Sequence, residues 1–161
     1  MNVELRRAEE RDISFIMDCE RRPGYEPFVG RWPEDKHRLR LADPEFTYLI
    51  GEDGTRGIGF AILHQTWMRP ENLYLKRIAV HDAGEGHGKA LLSALTDWVF
   101  TGTDTHRFWL EVVEHNERAW RLYRSLGWQE EGVVREAYFD DRTATRGSFV
   151  QMSILKTEWA R

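Results

Sequence analysis

Cysteine is nearly absent from this chain, with Cys19 alone among 161 residues. A single thiol excludes an internal disulfide framework and any thiolate-rich zinc or iron–sulfur site. The six histidines, at positions 37, 64, 81, 87, 106 and 115, never fall at HxxxH or HExxH spacing, so no metal cofactor is expected. Long apolar runs are missing too. Stretches such as Gly59 to Leu63 stay far below the ~20 residues that span a bilayer, and no membrane association is expected. The opening MNVELRRAEERD has neither the apolar run nor the small-residue cleavage site of a signal peptide, which makes a cytoplasmic location the expectation. No Lys/Arg block occurs and the isoelectric point is near 5.9, so nucleic acid is not the expected partner.

What is present fits one globular domain over residues 1–161. Hydrophobic residues make up 41% and charged residues 31%, a balance unlike a disordered chain. The 23 Lys and Arg against 27 Asp and Glu leave a net charge of −4, with the histidines neutral. A chain of this length buries roughly 70% of its unfolded surface, enough for a purely hydrophobic core. Periodicity predicts a strand over Val3 to Arg7, a helix over Glu10 to Glu20, and a polar helix from Pro33 that stops before Asp43-Pro44. Strands follow at Phe46 to Ile50 and Gly57 to Gln65, joined through Glu52-Asp53-Gly54, and at Asn72 to Val80. Beyond a glycine cluster come a long amphipathic helix carrying Leu91, Ala94, Leu95 and Trp98, a strand over Arg107 to Val113, and a helix over Glu117 to Leu126. Two late strands lie near Val133 to Phe139 and Ser148 to Leu155. The order of elements is that of an α/β fold with a mixed sheet.

The cluster Gly84-Glu85-Gly86-His87-Gly88-Lys89 lies between a strand and a helix, where backbone N–H groups and the positive helix end suit phosphate oxygens. It is not a Rossmann fingerprint, because Gly88 arrives one residue early. It is not a Walker A loop either, since Ala83 and Ala90 stand where a glycine and a Ser/Thr are needed. A plain flexible turn with no ligand is the alternative. Further on, Asn116 is a natural N-cap and Gly127 a natural left-handed terminus for a helix whose Ala119, Leu122, Tyr123 and Leu126 share a face. Periodicity alone is equally content with Tyr123 as a core aromatic.

The pairing of V-x-x-x-G-x-G-x-G-K-A-L-L (Val80 to Leu92) with N-x-R-A-x-x-L-Y-x-x-L-G-W (Asn116 to Trp128) resembles the GCN5-related N-acetyltransferase (GNAT) family. The tail, EGVVREAYFDD then FVQMSIL and EW, is similar to the branch containing the ribosomal-protein alanine N-acetyltransferases. The resemblance covers residues 72 to 159 and implies a single-domain GNAT-like fold: a mixed, mostly antiparallel central sheet flanked by helices and splayed between its fourth and fifth strands. It implies acetyl-CoA as acetyl donor, with pyrophosphate on the amides of Glu85, Gly86, His87, Gly88 and Lys89. It implies a pantetheine arm along Ile78, Ala79 and Val80, the Val80 amide polarising the thioester carbonyl, and Asn116 bonding the same arm in addition to capping its helix. The chain departs from the family in placing Ala83 where Arg or Gln is usual, and the connection lacks the common proline. Pyrophosphate binding then leans on backbone amides, with Lys89 or Arg121 as replacement charges or simply as solvated surface cations.

Acetyl transfer to nitrogen needs a neutral amine, a polarised carbonyl and a proton for the departing thiolate. A lysine-like amine with a reference pKa of about 10.4 needs a base, and an α-amino group near about 7.7–8.0 needs less help. The resemblance casts Glu111 as base and Tyr123 as acid. Glu111 otherwise reads as a solvent-facing or salt-bridged carboxylate. Tyr123 keeps its proton at neutral pH without assistance. The fold places the acceptor, an amine-bearing protein N-terminus or small molecule, near Arg22 to Trp32 and Glu136 to Arg146. There Tyr25, Phe28, Trp32, Glu26, Asp140 and Asp141 suit a cation or are merely solubilising. A non-catalytic acyl-CoA-binding sensor is the competing reading. Trp67, Trp128 and Trp159 are equally core residues or a homodimer surface.

Overall fold

The computed structural model describes residues 1–65 and 68–159. Seven strands form one sheet in the order β1-β2-β3-β4-β5-β7-β6. They are β1 (Val3–Arg7), β2 (Phe46–Asp53), β3 (Arg56–His64), β4 (Asn72–Val80), β5 (Arg107–Val113), β6 (Gln129–Asp140) and β7 (Thr145–Leu155). The helices are α1 (Ile13–Glu20), α2 (Glu34–Ala42), α3 (His87–Gly102), α4 (Glu117–Ser125) and the short α5 (Lys156–Trp159). All pairings are antiparallel except β4 with β5. The parallel pair is the one that needs a crossover, and α3 supplies it.

The central strands are buried on both faces, which is why β3 runs as a continuous apolar stretch from Ile58 to Leu63. Two cores result. On one face Leu73, Leu75, Leu92, Leu95, Phe108 and Trp128 pack beneath α3 and α4, and on the other Ile16, Cys19, Tyr48, Phe60 and Ala79 pack beneath α1 and α2. Gly59 allows β3 and β4 to approach, because a Cβ there would collide with the Ala79 carbonyl.

β4 changes parity part-way. Ile62 pairs with Arg77 and Leu63 with Leu75, so Lys76 is an extra residue in a bulge. Leu73 and Leu75, before the bulge, enter the core under α3. Ala79, after it, enters the core under α1, and Arg77 reaches Glu20 on that helix.

Several elements differ from the sequence expectation in their ends. The helix expected from Glu10 begins as a 3-10 turn, Glu10–Asp12, because the Asp12 carboxylate accepts from Arg6 at 2.7 and 2.9 Å and from the Glu9 N–H at 2.7 Å. Both late strands are longer than expected, since β6 is an almost wholly exposed edge whose charged sequence carries little hydrophobic alternation. Trp128 is a core residue, 1% exposed, and Trp159 packs on Phe100 while donating to Asp97 at 2.6 Å. Trp67 lies outside the described residues. Among the described residues no helix is long and apolar enough to cross a membrane.

Candidate active site

β4 and β5 stay paired for three residues only, Asn72 with Arg107, Leu73 with Phe108 and Tyr74 with Trp109. Beyond Tyr74 they diverge. The split opens a cavity of about 770 Å³ whose walls include Ile78, Ala79 and Val80 from β4, Glu111 from β5, Asn116 and Tyr123 from the α4 segment, and Gly86, Gly88 and Lys89 from the glycine loop. Glu85 and His87 are not on the wall: Glu85 points to solvent and His87 is buried at the start of α3. For those two, only the backbone amides expected of them remain available to a ligand.

Gly84 and Gly86 hold positive φ of 92° and 81°, a conformation that side-chain-bearing residues rarely adopt. Gly86 is the N-cap of α3 and supplies no side-chain cap, so the first-turn N–H groups of that helix are left for another acceptor. Lys89, Arg118 and Arg121 line the same end of the cavity. Arg121 pairs with Glu117 at 3.3 Å in solvent, whereas Arg118 makes no ion pair among the described residues. Sequence reasoning included Arg118 in the motif without giving it a part.

α4 is fixed at both ends. The Asn116 Oδ1 accepts from the Ala119 N–H at 3.3 Å, so its capping role is realised. At the other end Gly127 has φ of 89°, and the N–H groups of Gly127 and Trp128 return to the carbonyls of Arg124 and Tyr123 at 3.1 Å. Trp128 is thereby driven into the core beside Phe108 and Tyr123, with ring centroids 5.0 and 5.7 Å away. Tyr123 is 8% exposed, and burial alone pushes its hydroxyl pKa well above the ordinary tyrosine range. Glu111 is half-buried and accepts from the Tyr74 hydroxyl at 3.5 Å. It takes part in no ion pair among the described residues, unlike the salt-bridged alternative.

On the acceptor side, Tyr25, Phe28, Val29 and Gly30 line the cavity together with Tyr74, Lys76, Arg77 and Phe149. Tyr25 donates to the Val80 carbonyl at 2.7 Å, joining the segment after α1 to the end of β4. The segment from 136 to 146 contributes nothing to the wall, and Phe149 is what the late hairpin supplies. Two of the acidic candidates are neutralised locally, with Glu26 3.7 Å from Arg31 and Asp140 2.9 Å from Arg142, whereas Asp141 forms no ion pair among the described residues. Beneath this wall lies a polar cluster that the sequence did not disclose. Glu20, fully buried, accepts from Arg77 and from Arg21 at 3.2 Å and lies 2.7 Å from His37 Nε2, whose Nδ1 is 2.9 Å from the Tyr48 hydroxyl.

The family description "Acetyltransferase (GNAT) family" matches residues 13–128. This chain belongs to the GNAT family. The N-alpha-acetyltransferase RimI of Mycobacterium tuberculosis is 34% identical over 116 residues, 69% of this chain and 71% of that protein. The spermidine N(1)-acetyltransferase of Vibrio cholerae is 34% identical over 62 residues, 38% of this chain and 36% of its own. Among solved structures, the Vibrio cholerae spermidine N-acetyltransferase in complex with CoA and spermine superposes with a TM-score of 0.85 at 22% identity, covering 99% of both chains. The ribosomal-protein-S18-alanine N-acetyltransferase of Escherichia coli superposes at 0.76 with 23% identity, covering 95% of this chain and 93% of that one. The GNAT member described here is an acetyl-CoA-dependent N-acetyltransferase acting on amines. Its residues fit that donor: uncapped helix amides and three cations at one end of a cavity that a long flexible arm can enter.

Proposed function

We propose that the split between β4 and β5 is the active site, with Glu111 as general base and Tyr123 as general acid toward a primary amine of a protein N-terminus or a small molecule. The carrying observation is that both side chains line one cavity with the glycine loop. The amides of Glu85 through Lys89, in the glycine loop and the first turn of α3, hold pyrophosphate, assisted by Lys89 and Arg118. Backbone groups of Ile78, Ala79 and Val80, beyond the stretch of β4 that pairs with β5, hold the pantetheine arm, and the Val80 N–H polarises the thioester carbonyl. Asn116 bonds the same arm while capping α4.

Glu111 accepts a proton from the incoming ammonium, directly or through water, and the neutral amine attacks the carbonyl. The C–N bond forms, the C–S bond breaks, and Tyr123 donates to the leaving sulfur. A tyrosine serves because burial raises its pKa above the ordinary value, so the proton to be given is present at neutral pH. The relative that acts on a protein N-terminus covers more of this chain than the polyamine relative does, which supports a protein N-terminus. The proposed location is the cytoplasm, where the donor is made. A homodimer is the proposed reason for apolar Val133, Val134 and Phe139 lying exposed on edge strand β6, and sedimentation tests it.

Calorimetric titration with acetyl-CoA, followed by thiol release across peptide N-termini and polyamines, tests the whole reading. Micromolar binding with turnover on one amine class is expected. Binding with no turnover on any amine would be the behaviour of an acyl-CoA sensor.

A further inference from the structure

Charge on the cavity wall is one-sided. Among the described residues Glu111 is the sole acid lining it, against Lys76, Arg77, Lys89, Arg118 and Arg121. The last three belong to the glycine loop and α4, where the donor's phosphates account for them. The first two lie on β4 beside Tyr74 and Glu111, at the acceptor end. Arg77 is already compensated by buried Glu20. Lys76 is not: it forms no ion pair among the described residues, and its Nζ stands 5.9 Å from both the Tyr74 and Trp32 rings. Lys36, also without an ion pair, places its Nζ 4.5 Å from the same Trp32 ring. Desolvation, Arg77 and Lys36 depress the Lys76 pKa, and the Glu111 carboxylate offsets them only in part. The bulge sets this position, because it re-aims β4 at the point where the strands separate.

We infer that the acceptor is an amine carrying a carboxylate near its amino group, the amine directed to Glu111 and the carboxylate held by Lys76 and Lys36. The inference rests on the acetyltransferase reading of the cavity. A polycation would meet the Lys76 ammonium on the wall and the Lys36 ammonium beside Trp32, while two of the acidic candidates, Glu26 and Asp140, are each paired with an arginine.

The test compares kcat/KM for three peptides with free N-terminal alanine followed by two Glu, two Gln or two Lys, alongside free glutamate and spermidine. The acidic peptide is expected to exceed the neutral one by about tenfold, the scale of one hydrogen bond to a charged group. Lys76→Glu should reverse the order in favour of the Lys peptide, with acetyl-CoA affinity by calorimetry unchanged, and Lys36→Gln should weaken the preference in the same direction. Preference for free glutamate over the acidic peptide would identify a small amino acid as the acceptor, and the reverse a peptide N-terminus. Turnover without any acidic preference, or a preference that Lys76→Glu leaves in place, overturns the inference and spares the acetyltransferase reading. Acetyl-CoA binding with no turnover of any acceptor overturns both.

Discussion

The Tyr74 hydroxyl donates to the Glu111 carboxylate at 3.5 Å, from the last residue at which β4 still pairs with β5. The carboxylate is thus gripped at the vertex of the split, where one arm of the V becomes two. Tyr74 is held in turn by stacking on Trp109, with ring centroids 4.3 Å apart, and burial with Glu111 nearby pushes its pKa up to about 12. Glu111→Gln keeps the shape and removes the basicity. Its activity is expected to fall most below the acceptor amine's pKa, where each turnover must remove a proton, and to approach wild type well above it. A pH profile of kcat/KM parallel to wild type would remove Glu111 from proton transfer.

Tyr123→Phe is expected to lower kcat by about 10- to 10⁴-fold with acetyl-CoA affinity nearly intact, as loss of a general acid does. Calorimetry and steady-state kinetics on one preparation separate the two quantities. An unchanged kcat would leave Tyr123 as a packing residue against Trp128.

Gly86→Val forces a β-branched residue into a φ of 81° at the mouth of the helix. No protein atom lies within 4 Å of the added Cβ, so the damage falls on what approaches the loop from outside together with modest backbone strain. Acetyl-CoA affinity is expected to drop about tenfold or more while cooperative unfolding persists. Normal binding would place the pyrophosphate elsewhere.

Glu20→Ala removes the one carboxylate shared by Arg77, Arg21 and His37, leaving the largely buried Arg77 guanidinium uncompensated. Breaking such an arrangement costs about 3–5 kcal/mol, read as a lowered urea midpoint. A change within experimental error would mean the cluster is satisfied by water.

Alkaline pH tests the buried phenols. Tyr74 is pushed up to about 12, and burial raises Tyr48 and Tyr123 as well. In the unfolded chain these hydroxyls ionise from about pH 10, while the folded chain keeps them protonated. Their contribution to stability is therefore complete below pH 10 and is lost as pH rises through the folded values. Urea midpoints should fall steadily between about pH 10 and 12, and Tyr123→Phe should flatten that slope.

The local geometry of the proposed donor half was legible because local chemistry writes it: a glycine that must take positive φ, an asparagine that must cap, a glycine that must end α4. Each signal sits within a few residues of the structure it causes. The acceptor half was not, because Tyr74 meets Glu111 across 37 positions and Arg77 meets Glu20 across 57. Such contacts depend on register, and register here turns on one unpaired residue that leaves no compositional trace. The 136–146 segment was assigned to the acceptor from its place in the chain, yet its side chains stay off the cavity wall.

Lys76 makes β4 two half-strands of opposite phase joined end to end. The first half speaks to the core under α3 and the second to the helices on the far side. Deletion of residue 76 would close the bulge without inverting the strand: Leu75 would stay opposite Leu63 and Arg77 opposite Ile62, each on its present face. What would go is the local bend where β4 parts from β5, so the shortened chain should keep both cores and lose width at the vertex of the cleft.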